Sequence, residues 1–403
     1  MIDPFFPPPS IDPKQKLNSL ERIRAYDGLV LNAQNWSKAH EYHRQRQNIY
    51  YQSLYQPGIV YGLGVTIIEA PKQVSAKYRA LPWVKVKPGI AIDWEGNPIV
   101  VPSSVNFPLN PPQNLTKNPL TVYLLINHRD PENLNQKNPS DTIQETFRLD
   151  QKTSFPAAGD VELCRIQWQP GNDRIEIPQN VLLPEINQLD LRYRLQAKAR
   201  PEATLSIGTT ENLSNTIRQN LSFLMASVSC LYPTWQGIEQ ISSVLVRSKD
   251  AIAPYNLFYL CARDVEILNE REFSILDEYL QIGGTIAIEV STAEGSLENT
   301  GDLIAQKLNR DSIDWHKNLD REHPLRRKPF LFVALPEING YSIEVWHDGG
   351  GIFLIESDLS AAWGFDEELF LSRNDIRAAQ EFGINLLYFS WHRRRLTQLI
   401  QDY

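Results

Sequence analysis

Between residues 255 and 290 the chain reads as strand, helix and strand in one short run. YNLFYLC (255–261) is a continuous apolar stretch of the kind that forms a strand buried on both faces. Asn269 and Glu272 have the spacing of a capping box, with Asn in place of Ser or Thr. Phe273, Leu276 and Leu280 then recur at helical spacing, and Gly283-Gly284 stops the helix. TIAIEV (285–290) is a second buried strand. Two strands joined through a helix pair in parallel, which commits this half of the chain to an α/β domain.

The elements around this unit follow the same periods. Leu213, Ile217, Leu221, Leu224, Val228 and Leu231 line one face of a helix. FLFVAL (330–335), YSIEVW (341–346) and GIFLIE (351–356) read as strands, the last two joined by a hairpin turn at His347-Asp348-Gly349-Gly350-Gly351. Ser372 and Asp375 cap a closing helix that passes through Ile376, Ala379, Gly383, Leu386 and Leu387. That helix is expected to end in the basic run His392, Arg393, Arg394, Arg395, where cations complement the helix dipole. A subunit or anionic-membrane contact is the alternative use of those three arginines.

The first half has a different period. GIVYGLGVTIIE (58–69), WVKVKPG (83–89) and AIDWEGNPIVVP (91–102) alternate as strands, with a turn at Glu95-Gly96-Asn97. LTVYLLI (120–126) and VELCRIQW (161–168) add two more strands. The Pro- and Asn-rich stretches 106–119 and 129–142 read as long surface loops. Before the strands, residues 35–55 form a helix whose stripes carry aromatics rather than aliphatics: Trp36, His43, Tyr50 and Leu54 on one, Ala39, Tyr42 and Ile49 on the other. Such a composition suits a contact surface or a helix lying on a sheet. Trp36, Tyr42, Tyr50, Tyr51 and Tyr55 are therefore interaction candidates. Residues 1–24 read as an extended arm, repeating Ile-Asp-Pro around Phe5, Phe6, Pro7, Pro8 and Pro9. It is either a frayed terminus or a strap that lies on another subunit. The resulting division is an arm (1–24), a helix with a β-rich domain (25–185) and an α/β domain (186–403), the boundary falling within 184–202. The expected fold class is α+β multidomain.

Composition narrows the chemistry. With 42% hydrophobic and 22% charged residues, 403 residues can bury a large core. Acidic residues outnumber basic ones, 48 to 40, for a net charge of −8, which argues against a nucleic-acid partner. Cys164, Cys230 and Cys261 are odd in number and far apart, so a reducing compartment is expected. No apolar run approaches the roughly 20 residues of a membrane span. Ligands of an α/β sheet bind at the carboxyl ends of its strands, here Cys261, Arg263 and Asp264, then Glu289, Ser291 and Thr292. A thiol nucleophile at Cys261 needs a base, for which His316, His323 and His347 are the candidates. Cys261 lacks the flanking glycines of a nucleophile elbow, so the expected role is that of a small buried hydrophobe. Gly349-Gly350-Gly351 lacks the Lys and helix of a phosphate loop. His40 and His43 have no third ligand, and His316 and His323 flank Asp320 in a polar loop without a metal-site pattern. No catalytic residue, metal or cofactor is expected. A carbohydrate-binding module is an alternative reading of 9 Trp and 16 Tyr.

Two resemblances add to this. Asp27-Gly28, Leu31-Asn32-Ala33-Gln34-Asn35, Tyr42-His43, Gly58-Ile59-Val60-Tyr61-Gly62-Leu63-Gly64-Val65 and Val86-Lys87-Pro88-Gly89-Ile90-Ala91-Ile92-Asp93 with Gly96 resemble the N-terminal region of baseplate-associated proteins of phage-tail-like contractile injection systems. Residues 250–391 resemble an uncharacterised α/β family related to the glutamine-amidotransferase-like fold. The resemblance runs through Leu257-Phe258-Tyr259-Leu260, Tyr279-Leu280-Gln281-Ile282-Gly283-Gly284, Asp358, Trp363 and Phe382-Gly383-Ile384-Asn385-Leu386-Leu387-Tyr388. Together they are similar to accessory baseplate proteins of cyanobacterial contractile systems. The resemblance implies a mostly parallel, glutaminase-like sheet and a structural role in the baseplate or its extension. It also implies wedge and spike proteins as partners and six copies around the tube. The place implied is a cytoplasmic particle, docked at a membrane such as the thylakoid. The alternative it carries is a cysteine-dependent glutaminase-like hydrolase.

Overall fold

The structure, a computed structural model, describes residues 19–112, 118–130, 144–157, 159–172, 174–291, 296–310, 312–338, 340–364 and 371–401. The chain divides into two compact units between Arg200 and Pro201. Helices and strands occur in both, so the protein is a mixed α and β chain of more than one unit.

The first unit opens with the helix Ala33–Leu54, whose Asn32 side chain accepts the Asn35 N–H at 2.8 Å. Three antiparallel sheets follow. Gly58–Gly62 pairs with Gly89–Ile92, which pairs with Pro98–Val101. Trp83–Val86 lies between Val65–Ile68 and Val105–Pro108. Leu120–Arg129 lies between Thr146–Lys152 and Asp160–Trp168. Alternation fixes the core: Val84 and Val86 are fully buried while Lys85 between them is not. Thr146–Lys152 is a strand that the sequence reading does not contain. Phe147 and Leu149 are its only apolar residues, and it lies at a sheet edge, where one partly buried face suffices. Residues 186–200 pack with this unit. Ala199 and Lys198 pair with Tyr55 and Gln56, Ile59 donates to the Leu195 carbonyl at 2.8 Å, and Arg165 and Asp190 exchange backbone bonds of 2.9 Å.

The second unit is built on a six-stranded sheet. Its order is Ser242–Ser243, Ile207–Thr209, Leu257–Cys261, Thr285–Val290, Ile352–Glu356 and Glu344–His347. The first five strands are parallel and the last is antiparallel. The capping box at Asn269 is complete, with bonds of 2.9 and 3.1 Å to Glu272. It starts the helix Glu270–Gln281, which connects two neighbouring parallel strands. Successive side chains of Leu257–Cys261 separate the core into two layers. Leu257 and Tyr259 pack with Leu221, Leu224, Phe382 and Leu386 of the helices Asn215–Leu231 and Arg373–Ile400. Phe258 and Leu260 pack with Phe273, Leu276 and Ile304 of the helices Glu270–Gln281 and Leu297–Lys307.

Three expected elements differ. Residues 106–108, read as the start of a surface loop, belong to the strand Val105–Pro108, which pairs with Trp83–Val86. FLFVAL (330–335) is not a strand. The amide of Asn385 binds the Phe330 N–H and carbonyl, and Arg326 binds the carbonyls of Leu319 at 3.1 Å, Phe332 at 3.2 Å and Val333. With its backbone groups met by side chains, the segment needs no sheet partner, and Leu331 and Val333 face solvent. The closing helix does not end at its basic run but continues to Ile400, so Arg393 to Arg395 do not cap it. Among the described residues no helix is long and apolar enough to cross a membrane.

Candidate functional site

The sheet order reverses around Ile207–Thr209, which sends one connection to each side of that strand. Ligands of parallel sheets sit at the carboxyl ends beside such a reversal. Among the described residues, side chains at that place are hydrogen-bonded to one another. Thr210, which follows the first strand, donates its hydroxyl to Asp264 Oδ1 at 2.8 Å. Asp264 Oδ2 accepts the Cys261 N–H at 2.9 Å and lies 3.1 Å from Cys261 Sγ. Asp264 is only 1% exposed and Thr210 3%. The carboxylate therefore ties two strand ends together and starts the short helix Ala262–Ile267. Arg263 points to solvent.

One strand further on, Glu289 is also consumed. Its two oxygens accept the Tyr259 hydroxyl at 2.9 Å and the Ser360 N–H at 2.7 Å. Burial raises the pKa of Glu289, and burial followed by the neighbouring Glu289 raises that of Tyr259. Ser291 donates to Asp358 at 3.0 Å. Thr292 lies outside the described residues.

The three candidate bases lie at the edge of the sheet, away from Cys261. His347 stands on the edge strand, three strands away from Leu257–Cys261, which is roughly 14 Å at the usual strand spacing. His316 and His323 pack against His347, not against the thiol. Among the described residues no three His, Cys, Asp or Glu side chains converge as metal ligands. His40 and His43 lie edge-on to their helix neighbours Trp36 and Tyr42.

The aromatic helix of the first unit is a second candidate. None of its residues is buried. Trp36 is 58% exposed and Tyr50 53%, with Ile49 and Leu54 also open. Tyr50, Tyr51 and Tyr55 form a ring cluster with centroids 5.8 to 6.1 Å apart, and Tyr42, Tyr51 and Tyr55 are half-buried. Phe5, Phe6, Pro7, Pro8 and Pro9 lie outside the described residues.

Two of the three arginine candidates bind backbone carbonyls of their own unit. Arg393 donates to the Leu280 carbonyl at 3.1 Å and to that of Gly284, and Arg394 donates to the Tyr255 carbonyl at 2.5 Å. Arg393 thus meets the end of the neighbouring helix Glu270–Gln281, whose last carbonyls lack partners within the helix, while Arg394 holds the chain ahead of the strand Leu257–Cys261. Arg395 is exposed and lies over the Trp391 ring, 5.0 Å from its centre. A further surface was missed. Ile177, Val181, Leu182, Leu183 and Ile186 are all more than half exposed. The apolar run Val181-Leu182-Leu183 between Pro178 and Pro184 was its signal.

Residues 205–390 are similar to a family described as "Domain of unknown function (DUF4159)". No curated protein matches the chain.

Proposed function

We propose that this chain is a structural component of the baseplate, or baseplate extension, of a phage-tail-like contractile injection system. The observation that carries the reading is the helix Ala33–Leu54, which has no buried residue and turns Trp36, Ile49, Tyr50 and Leu54 outward. Exposed aromatic side chains along one helix have the composition of contact surfaces. The aliphatic strip from Ile177 to Ile186 on the same unit supports the same role. The closed carboxyl ends of the parallel strands support a non-catalytic α/β unit, a relative of amidotransferase-like domains that serves as scaffold. In this reading the partners are wedge and spike proteins, six copies surround the tube, and the particle docks at a membrane such as the thylakoid. Arg393, Arg394 and Arg395 remain contact candidates in this reading, Arg393 and Arg394 while also binding backbone carbonyls of their own unit.

Affinity capture of the full-length chain from cells that assemble such particles tests this. Wedge and spike proteins are expected in comparable amounts by mass spectrometry. Recovery of the chain without any baseplate protein removes the reading.

A further inference from the structure

Three of the chain's seven histidines meet at one edge of the α/β sheet. We propose that His316, His323 and His347 form an acid-released latch that holds the segment 316–335 against the edge hairpin 344–356. The segment and the hairpin meet through two backbone bonds, His316 N–H to the His347 carbonyl at 2.9 Å and His347 N–H to the His316 carbonyl at 3.1 Å. The rings of His316 and His347 stack with centres 4.8 Å apart, and His323 sits 4.8 Å from His347. His323 is also stacked on Phe389 and lies edge-on to Phe353.

Two of the three rings are committed to the neutral form by their hydrogen bonds. His323 Nδ1 accepts the Leu325 N–H at 3.2 Å and so caps the short helix Pro324–Arg327. His347 Nδ1 accepts the Gly349 N–H at 3.2 Å and so holds the hairpin turn. A proton on either Nδ1 would face a backbone N–H, with a second imidazole against the ring.

The charged groups facing the cluster come from three elements. Asp320 belongs to the segment and Asp348 to the hairpin turn, while Arg393 of the closing helix acts on Asp348. Asp348 is engaged by the Gly350 and Ile352 N–H groups, both at 2.9 Å. The carboxylates favour imidazolium, but burial and the other rings outweigh them. Burial first, then His347 and His316, bring His323 down from 6.5 to about 4. Burial first, then His316, lower His347. A group whose folded pKa is depressed takes up its proton more readily once the segment is open. The closed latch is therefore fully favoured above pH 6.5 and weakens as pH falls toward 4. Opening unseats Leu319 and Leu325, which are buried against the closing helix.

Hydrogen exchange on the full chain, expressed as protection factors, tests this. Between pH 7 and pH 4.5 the amides from Leu325 to Phe332 should lose at least about tenfold in protection relative to those of Leu257–Cys261. In the H323N/H347N double variant, Asn supplies both backbone acceptors without a titrating ring, and the acid step should vanish. Equal protection at both pH values in the wild type, or an acid step of the same size in the variant, overturns the proposal. Should the variant not fold, the wild-type imidazole NMR signals decide. One midpoint near 4 and a second below the ordinary 6.5 support the latch, and seven midpoints at or above 6.5 overturn it.

Discussion

Replacing Asn385 with leucine lowers the stability of the α/β unit by roughly 3 kcal/mol and frees the chain from Leu325 to Phe332. Asn385 lies on the closing helix and is fully buried. Its amide nitrogen donates to the Leu325 carbonyl at 2.8 Å and the Phe330 carbonyl at 2.7 Å, and its oxygen accepts the Phe330 N–H at 2.9 Å. Leucine fills a similar volume and supplies none of these bonds. Each buried backbone group left without a partner costs about 1 to 3 kcal/mol. Part of that cost is relieved by opening of the segment, because water then reaches the orphaned groups. Urea unfolding should report the lost stability, and hydrogen exchange should show the largest loss of protection in this segment. A change below about 1 kcal/mol would mean that the amide is not what pins the segment.

Changing Gly62 to alanine should destabilise the β-rich unit by about 3 kcal/mol or more. Gly62 has a φ of +70°, and a Cβ built there would stand 2.2 Å from the Pro88 carbonyl oxygen of the paired strand. The left-handed conformation alone costs a non-glycine residue roughly 1 to 2 kcal/mol. The contact adds to that, because backbone on the facing strand has to move and Leu63, fully buried, sits directly behind. Gly171 supplies the control. Its φ is +82°, but its Cβ would meet nothing within 4 Å. Gly171→Ala should therefore lose only the conformational part. Thermal melts of the two variants separate the terms, and equal losses would show that the Pro88 contact carries no weight.

The same glycine shows what was legible in the sequence. Gly62 and Gly96 belong to the residues that carry the resemblance to baseplate-associated proteins. Both hold positive φ, and a Cβ on Gly96 would stand 2.5 Å from the Asn48 carbonyl of the aromatic helix. The motif is thus readable as packing that fixes strand on strand and helix on turn. The βαβ unit was legible for a similar reason. Its capping box, apolar stripe and glycine stop act locally, within a few residues of one another. FLFVAL misled because an apolar run does not disclose how its backbone is satisfied. Asn385 and Arg326, one of them distant in sequence, provide the answer. The basic run at Arg393 does not mark the helix end, and its carbonyl partners, Tyr255, Leu280 and Gly284, lie more than a hundred residues earlier. At the carboxyl ends of the strands, the sequence pointed to Cys261, Asp264 and Glu289. Their pairing with Thr210, Tyr259 and Ser360 is tertiary, so no local pattern in the sequence discloses it.

Gradient sedimentation of lysates from cells that make contractile particles tests the central claim most directly. The wild-type chain should travel with sheath and wedge proteins. A Trp36→Ala/Tyr50→Ala/Leu54→Ala variant, altered only at exposed helix positions, should stay folded and remain at the top of the gradient. A wild-type chain that never enters the particle fraction, or a variant incorporated as fully as the wild type, would contradict the account.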